Sequence, residues 1–208
     1  MGKRVKRAID LMGAAVSLVA TAPIMLVVAV LIRIRMGSPV FFRQSRPGYK
    51  GVPFELIKFR TMQNKLDESG NPLPDAERLT RLGRFLRSSS LDELPQLWNV
   101  LRGEMSLVGP RPLLDRYYPY FSEREKVRFL MRPGITGWAQ VNGRNLTDWD
   151  ERLAQDVWYV ENWSLLLDLR ILFLTIVKIA RRSDVVTDPQ SSLPNLDEAR
   201  SLERSKGG

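Results

Sequence analysis

Between Leu11 and Ile32 the chain carries no charged residue, and this run constrains what the rest can fold into. As an α-helix those 22 residues would reach roughly 33 Å, enough for the apolar layer of a bilayer. Both flanks are basic: Lys3, Arg4, Lys6 and Arg7 precede the run, and Arg33, Arg35, Arg43, Arg46 and Lys50 follow it. Positive charge favours the cytoplasmic side, so both ends ask for the same face. Pro23 lies near the middle, where it removes one backbone hydrogen bond and bends a helix. A helix that enters, bends at Pro23 and returns satisfies both flanks. The expectation is therefore a re-entrant membrane helix over residues 1–36, with a single tilted span as the alternative. A removable leader fits poorly, because the run is long, lacks a small-residue cleavage site and continues into basic sequence.

The 208 residues suit one domain plus a membrane segment. Lys and Arg total 32 against 23 Asp and Glu, a net charge of +9, which favours nucleic acid, anionic lipid or phosphorylated substrates. There is no Cys and no His. That excludes disulfides, thiolate nucleophiles, imidazole bases and Cys or His metal sites. Any bound metal should have oxygen ligands, which points to Mg²⁺ or Mn²⁺.

Val40-Phe41-Phe42 and the stretch 54–59 read as a β-hairpin turning at Pro47-Gly48 and Gly51, with Lys58 and Arg60 at a solvated strand end. Residues 63–80 are polar and hold Gly70, Pro72 and Pro74; this long loop is either a lid or a passive connection. Ser122 and Glu125 form a capping-box pattern opening a helix that ends before Pro133. Residues 132–145, RPGITGWAQVNGRN, look like a loop closing on a ligand, although they lack the spacing of a P-loop or dinucleotide fingerprint. Helices are expected over 147–162 and 165–182. The second has Leu166, Leu169, Phe173, Ile176, Val177 and Ala180 on one face and Arg170, Lys178, Arg181 and Arg182 on the other, suited to a core or to a membrane surface. Residues 183–208 read as a flexible tail. The fold class is thus α/β, mostly helical and membrane-associated. A cytoplasm-facing body over 37–182 joins the re-entrant helix, a small β-hairpin and interfacial amphipathic helices.

The candidate site lies in RFLRSSSLDELPQLWNVLRGEMSLVGPRP, residues 84–112. It holds the adjacent acids Asp92 and Glu93, with Arg84 and Arg87 before them and Arg102 and Arg111 after. A structural reading competes: Ser90 and Glu93 fit a capping box, Asp92 fits an N-cap, and Leu94, Leu97, Trp98 and Leu101 predict a helix over 91–101. The missing imidazole favours chemistry. A carboxylate with an ordinary pKa near ~3.9 is ionised at neutral pH and attacks phosphorus without a base. A nucleoside monophosphate leaves as an anion, and a lipid phosphate acceptor is already charged. Such a reaction needs cations rather than a proton shuttle.

These residues resemble the bacterial sugar transferases, the monotopic phosphoglycosyl transferases. The resemblance covers residues 6–182. It rests on the apolar segment with its mid-helix Pro, RPG at 46–48, KFRTM at 58–62, residues 90–112, PGITGWAQVNGRN at 133–145 and YVENWSLLLDLRIL at 159–172. It implies transfer of a sugar 1-phosphate from a UDP-sugar to undecaprenyl phosphate at the cytoplasmic face of a bacterial inner membrane, with UMP released. By the same resemblance Asp92 is the nucleophile and the Mg²⁺ ligand, and Glu93 completes the dyad. Lys58, Arg87 and Arg111 are phosphate-binding, with Asp156, Gln140 and Arg144 as further site residues. The chain has Ala22-Pro23 where many small members have Ser-Pro, leaving Ser17 or Thr21 to supply a hydroxyl near the bend. Larger members carry additional transmembrane helices, and this chain resembles the compact form. Two other readings stand beside it. One is a basic membrane-anchored module, although no nucleic-acid motif is present. The other is a glycosyltransferase that would release UDP.

Overall fold

The computed structural model describes residues 2–142, 148–181 and 195–206. Helix α1 runs unbroken from Gly2 to Met36 with Pro23 inside it. It is the one described helix long and apolar enough to cross a membrane. Val16, Val19, Leu26 and Val27 are exposed along its middle. Its buried positions are Lys6, Asp10 and Ala14 toward one end, then Val28 and Ile32 toward the other. Each group repeats every four residues, the spacing of one helix face. Ala14 packs with Leu56, Leu97, Val100 and Met105, and Val28 and Ile32 pack with Phe59 and Leu86. Both ends of α1 therefore rest on the same body, while the stretch around Pro23 does not. One turn before Pro23, the Thr21 hydroxyl donates to the Ser17 carbonyl at 2.7 Å, a back-bond of the kind that bends helices.

Strands β1 (Phe41–Pro47) and β2 (Pro53–Phe59) form the expected antiparallel hairpin, with Phe41 opposite Phe59. Arg60, expected at a solvated strand end, is buried. Its guanidinium donates to the carbonyls of Met36, Gly37 and Ser38, satisfying acceptors that the end of α1 leaves open. Residues 63–80 carry a helical turn, α2 (Asp75–Arg78), and isolated bridges between Met62 and Leu79 and between Leu66 and Pro72. Helix α3 (Arg81–Ser88) follows, capped by the Thr80 hydroxyl. It presses against the hairpin's exit: a Cβ at Gly83 would stand 1.9 Å from the Thr61 carbonyl oxygen.

The helix expected over 91–101 is split. A 3₁₀ turn covers Leu91–Glu93, and α4 begins only at Gln96, ending at Arg102. Ser90 makes no side-chain cap and sits at φ 56°, in the left-handed region, so neither the capping box nor the Asp92 N-cap forms. Helix α4 is tied to the hairpin by Asn99, which is fully buried. Its amide receives the Ile57 N–H at 3.1 Å and donates to the Glu55 carbonyl at 2.7 Å, completing the edge of β2.

Strand β3 (Ser106–Val108) pairs in parallel with β4 (Gly134–Thr136). Short helix α5 (Trp138–Asn142) leads to α6 (Trp149–Glu161), capped by Asp148, and α7 (Leu165–Arg181). On α7 the leucine-rich face faces outward, with Leu166, Leu169, Phe173 and Ile176 exposed, while Asp168 and Ile171 are buried. Of the tryptophans, Trp138 stacks on a partly exposed Trp158 with ring centroids 4.8 Å apart. Ser122 and Glu125 make the reciprocal capping box, but the turn they open, Glu125–Leu130, is 3₁₀ rather than α. Within the stretch read as a tail, Leu196–Lys206 forms helix α8. Leu196 is fully buried among Leu113, Tyr117, Phe121, Phe129 and Leu153, and apolar burial of this kind orders a segment whose composition alone reads as loose.

A polar lock joins α1 to the body. Lys6 donates to Asp168 at 2.7 Å and to the Val108 carbonyl at 3.0 Å. Asp168 also receives the Tyr159 hydroxyl at 2.6 Å and the Trp163 indole N–H at 3.1 Å. Asp10 receives the Ser106 hydroxyl and the Leu107 N–H.

Candidate active site

Four segments meet at the acid pair. Lys58 comes from the end of β2 and Arg87 from the last turn of α3. Asp92 and Glu93 sit on the 3₁₀ turn, and Arg111 follows β3. Ser90's left-handed backbone turns the chain sharply after α3, a strained geometry of a kind that clusters at functional sites. Asp92 is buried and has no hydrogen-bond partner among the described residues. Burial, and next to it the Glu93 charge, push its carboxyl up to about 6, with Lys58, Arg111 and Arg87 pulling it back. The ordinary value expected from sequence is thus corrected, yet about nine-tenths of the group is still ionised at pH 7.

Glu93 is engaged differently, accepting from the Arg111 guanidinium at 2.7 Å, and that bond and charge push Arg111's pKa up. Lys58 has no carboxylate within salt-bridge distance among the described residues and lies against the Phe42 ring at 5.4 Å. Burial pushes its ammonium down, and the charge of Asp92 opposes that shift. Arg87 donates through Nε to the Thr61 hydroxyl at 3.1 Å, and its two terminal nitrogens have no partner among the described residues. Of the four arginines flanking the acids in sequence, the fold gathers Arg87 and Arg111. It turns Arg84 to solvent and leaves Arg102 near Glu104.

Asp156 is buried and bonded to Arg128 at 2.7 Å. Arg128 donates in turn to the Arg111 carbonyl at 2.6 Å, so Asp156 supports the backbone of the site rather than facing a ligand. Gln140 donates to the Ile135 carbonyl at 3.2 Å and makes no contact with the acid pair. Arg144 lies outside the described residues. Two glycines of the 132–145 segment serve packing: a Cβ on Gly134 would stand 2.1 Å from the Gly109 nitrogen, and one on Gly137 would stand 2.2 Å from the Gly109 oxygen. This close crossing fixes the path of Gly109-Pro110-Arg111.

No group of three or more acidic residues able to cage an ion occurs among the described residues. A lone carboxylate with open oxygens, such as Asp92, instead fits Mg²⁺ or Mn²⁺ held largely by substrate phosphates and water. Sequence reasoning missed Arg152, which lies over the Trp149 ring at 5.3 Å, and gave Arg46 no site role, although its guanidinium reaches the Pro112 carbonyl at 3.5 Å. Arg46 carried only the signal of its RPG motif, and Arg152 only that of a charged helix face.

The long apolar helix, exposed along its middle, and the family match together point to a membrane-associated sugar transferase. The bacterial sugar transferase family model matches residues 1–182, and the chain belongs to that family. It is 54% identical over 84% of its length to an uncharacterized sugar transferase, EpsL, of Bacillus subtilis, covering 86% of that protein. It is 44% identical to a UDP-glucose:undecaprenyl-phosphate glucose-1-phosphate transferase of Caulobacter vibrioides, over 82% of this chain and 68% of the relative. It is 39% identical to a UDP-galactose-lipid carrier transferase of Erwinia amylovora, over 85% of this chain and 40% of the relative.

Proposed function

We propose that this protein transfers a sugar 1-phosphate from a UDP-sugar to undecaprenyl phosphate, the activity named for its glucose-specific relatives. The observation that carries the reading is Asp92: a buried, mostly ionised carboxylate without a hydrogen-bond partner among the described residues, under the charges of Lys58, Arg111 and Arg87. In the first step an Asp92 oxygen bonds to the phosphorus bearing the sugar. The bond from that phosphorus to the bridging oxygen breaks, and UMP leaves with the electron pair. In the second, an oxygen of the lipid phosphate bonds to the same phosphorus, and the aspartyl bond breaks to restore the carboxylate. No step moves a proton, which agrees with the absence of histidine. Lys58, Arg87 and Arg111 offset the charge that gathers on the phosphoryl oxygens. Glu93 holds the Arg111 guanidinium in place. Mg²⁺ bound through Asp92 would supply further charge neutralisation.

The membrane reading belongs to the same proposal. Both ends of α1 pack on one body while the Pro23 region stands clear, which suits a helix that dips into the cytoplasmic face of the inner membrane and returns. The outward apolar face of α7 suits the bilayer surface. Incubation with a panel of UDP-sugars and undecaprenyl phosphate tests the chemistry. UMP release, and sugar-phosphate mass on the Asp92 peptide after quenching with donor alone, are expected. Release of UDP instead, or no adduct, overturns the mechanism.

A further inference from the structure

Arg111 is bordered by two more arginines with no ion pair among the described residues. Arg46 is half-buried; its bonds among the described residues are to the Gln44 amide oxygen at 2.6 Å and the Pro112 carbonyl at 3.5 Å, and its buried Nε meets no partner among them. Arg152, on α6 one turn before Asp156, has no hydrogen bond or ion pair among the described residues and is held only over the Trp149 ring. Asp156, one turn further along the helix, is already committed to Arg128. Burial, and after it the charge of Arg111, pushes each guanidinium's pKa down, with Asp115 opposing at Arg46 and Asp156 opposing at Arg152. Arg46 reaches the carbonyl of Pro112, the residue after Arg111, and Asp156, one turn beyond Arg152, is tied through Arg128 to the Arg111 carbonyl, so both arginines lie beside the Arg111 segment. Among the described residues only Arg111 of these three guanidiniums has a bonded carboxylate, Glu93, and the charges of Asp115 and Asp156 offset the gathering only in part, so an anion would offset it further.

We infer that Arg46 and Arg152, with Arg111, form a second phosphate-binding subsite beside the one at Asp92. The inference rests on the proposed transferase reading for its occupant, either the nucleotide's α-phosphate or the phosphate of the lipid acceptor. Planar guanidinium forks beside Arg111 match the paired oxygens of a phosphate. The Trp149 ring holds Arg152 in place, which lowers the ordering cost of binding.

The test uses the full chain in lipid nanodiscs and the variants Arg152→Gln, Arg46→Gln and Arg152→Lys. Two quantities are read: UDP affinity by calorimetry, and the KM for undecaprenyl phosphate from UMP release. If the subsite takes the nucleotide, each Gln variant weakens UDP about tenfold and leaves the lipid KM in place. If it takes the acceptor, UDP affinity holds and the lipid KM rises about tenfold, with kcat changed far less. Arg152→Lys recovers part of either loss, because charge is kept while the fork is lost. Unchanged UDP affinity together with unchanged lipid KM in both Gln variants overturns the subsite. So does a loss that matches a fall in melting temperature in the absence of any ligand. If the wild type binds UDP in an Arg152-dependent manner but releases no UMP from any donor, the subsite stands and the transferase reading falls.

Discussion

Two acid–cation clusters in this molecule contrast sharply. In the lock around Asp168, both carboxylate oxygens have named donors, Tyr159 on one and Lys6 and Trp163 on the other, and the Lys6 ammonium also donates to the Val108 carbonyl. At the acid pair, among the described residues, the Asp92 carboxylate has no hydrogen bond, and Lys58, Arg46 and Arg152 have no carboxylate bound. Lys6, Asp10 and Asp168 are buried in the first and Asp92 in the second, so both centres have lost water. The first recovers that cost inside the protein, and the second leaves it for a ligand to recover. Completeness of bonding therefore separates an anchoring network from a reactive one, even though the residue types are alike.

The largest test of this contrast is Asp92→Asn. Turnover should fall by more than about 1000-fold, as expected when a nucleophile is removed, while stability at pH 7.5 rises. The folded pKa of Asp92 lies above its unfolded value, so the cost of ionising it is absent below about pH 4 and fully present above about pH 6. That cost is on the order of 2–3 kcal/mol. Chemical denaturation at pH 4 and pH 7.5 checks it, and a variant less stable than wild type at pH 7.5 would break the comparison. Next comes Asp168→Ala, which strands Lys6 in the lock. Removing one partner of a buried pair costs about 3–5 kcal/mol, read as a lowered melting temperature in nanodiscs.

A smaller effect concerns pH. With Asp92 as nucleophile, kcat/KM should fall tenfold per unit below about pH 6. In Glu93→Gln that limb should move to lower pH, because the Glu93 charge is one of the causes that raise Asp92. An acid limb that stays in place would sever the coupling. Smallest of all, Ser90→Gly relieves a left-handed backbone at the site and should stabilise the fold by about 0.5 kcal/mol, measured by urea titration.

The sequence made local features legible and left non-local ones hidden. The hairpin could be read because its turn residues and alternating side chains lie within one short stretch. Asp92, Glu93, Lys58, Arg87 and Arg111 could be named from the family motifs, and the fold brings them together. Ser-x-x-Glu occurs at 90–93 and at 122–125, yet only the second makes a capping box. At the first, Glu93 is drawn to Arg111, eighteen positions away, and Pro95 delays the helix that follows. Asn99, Arg60 and Arg152 were missed for the same reason: each takes its meaning from a partner that no periodicity reveals. The glycines of 132–145 suggested a ligand loop, and the tight crossing of Gly134 and Gly137 with Gly109 is a packing role that the sequence did not show.

Helix α8 begins beyond residue 182, where the family match stops, yet Leu196 plugs a hollow formed by Leu113, Tyr117 and Leu153. Asn195 accepts from the Tyr117 hydroxyl at 2.9 Å, and Arg200 clasps Glu125 and Asp150. Trimming the gene to the shared boundary would uncork an oily dent just behind Pro112. A shortened enzyme made that way should become sticky and sluggish, for reasons unrelated to its chemistry.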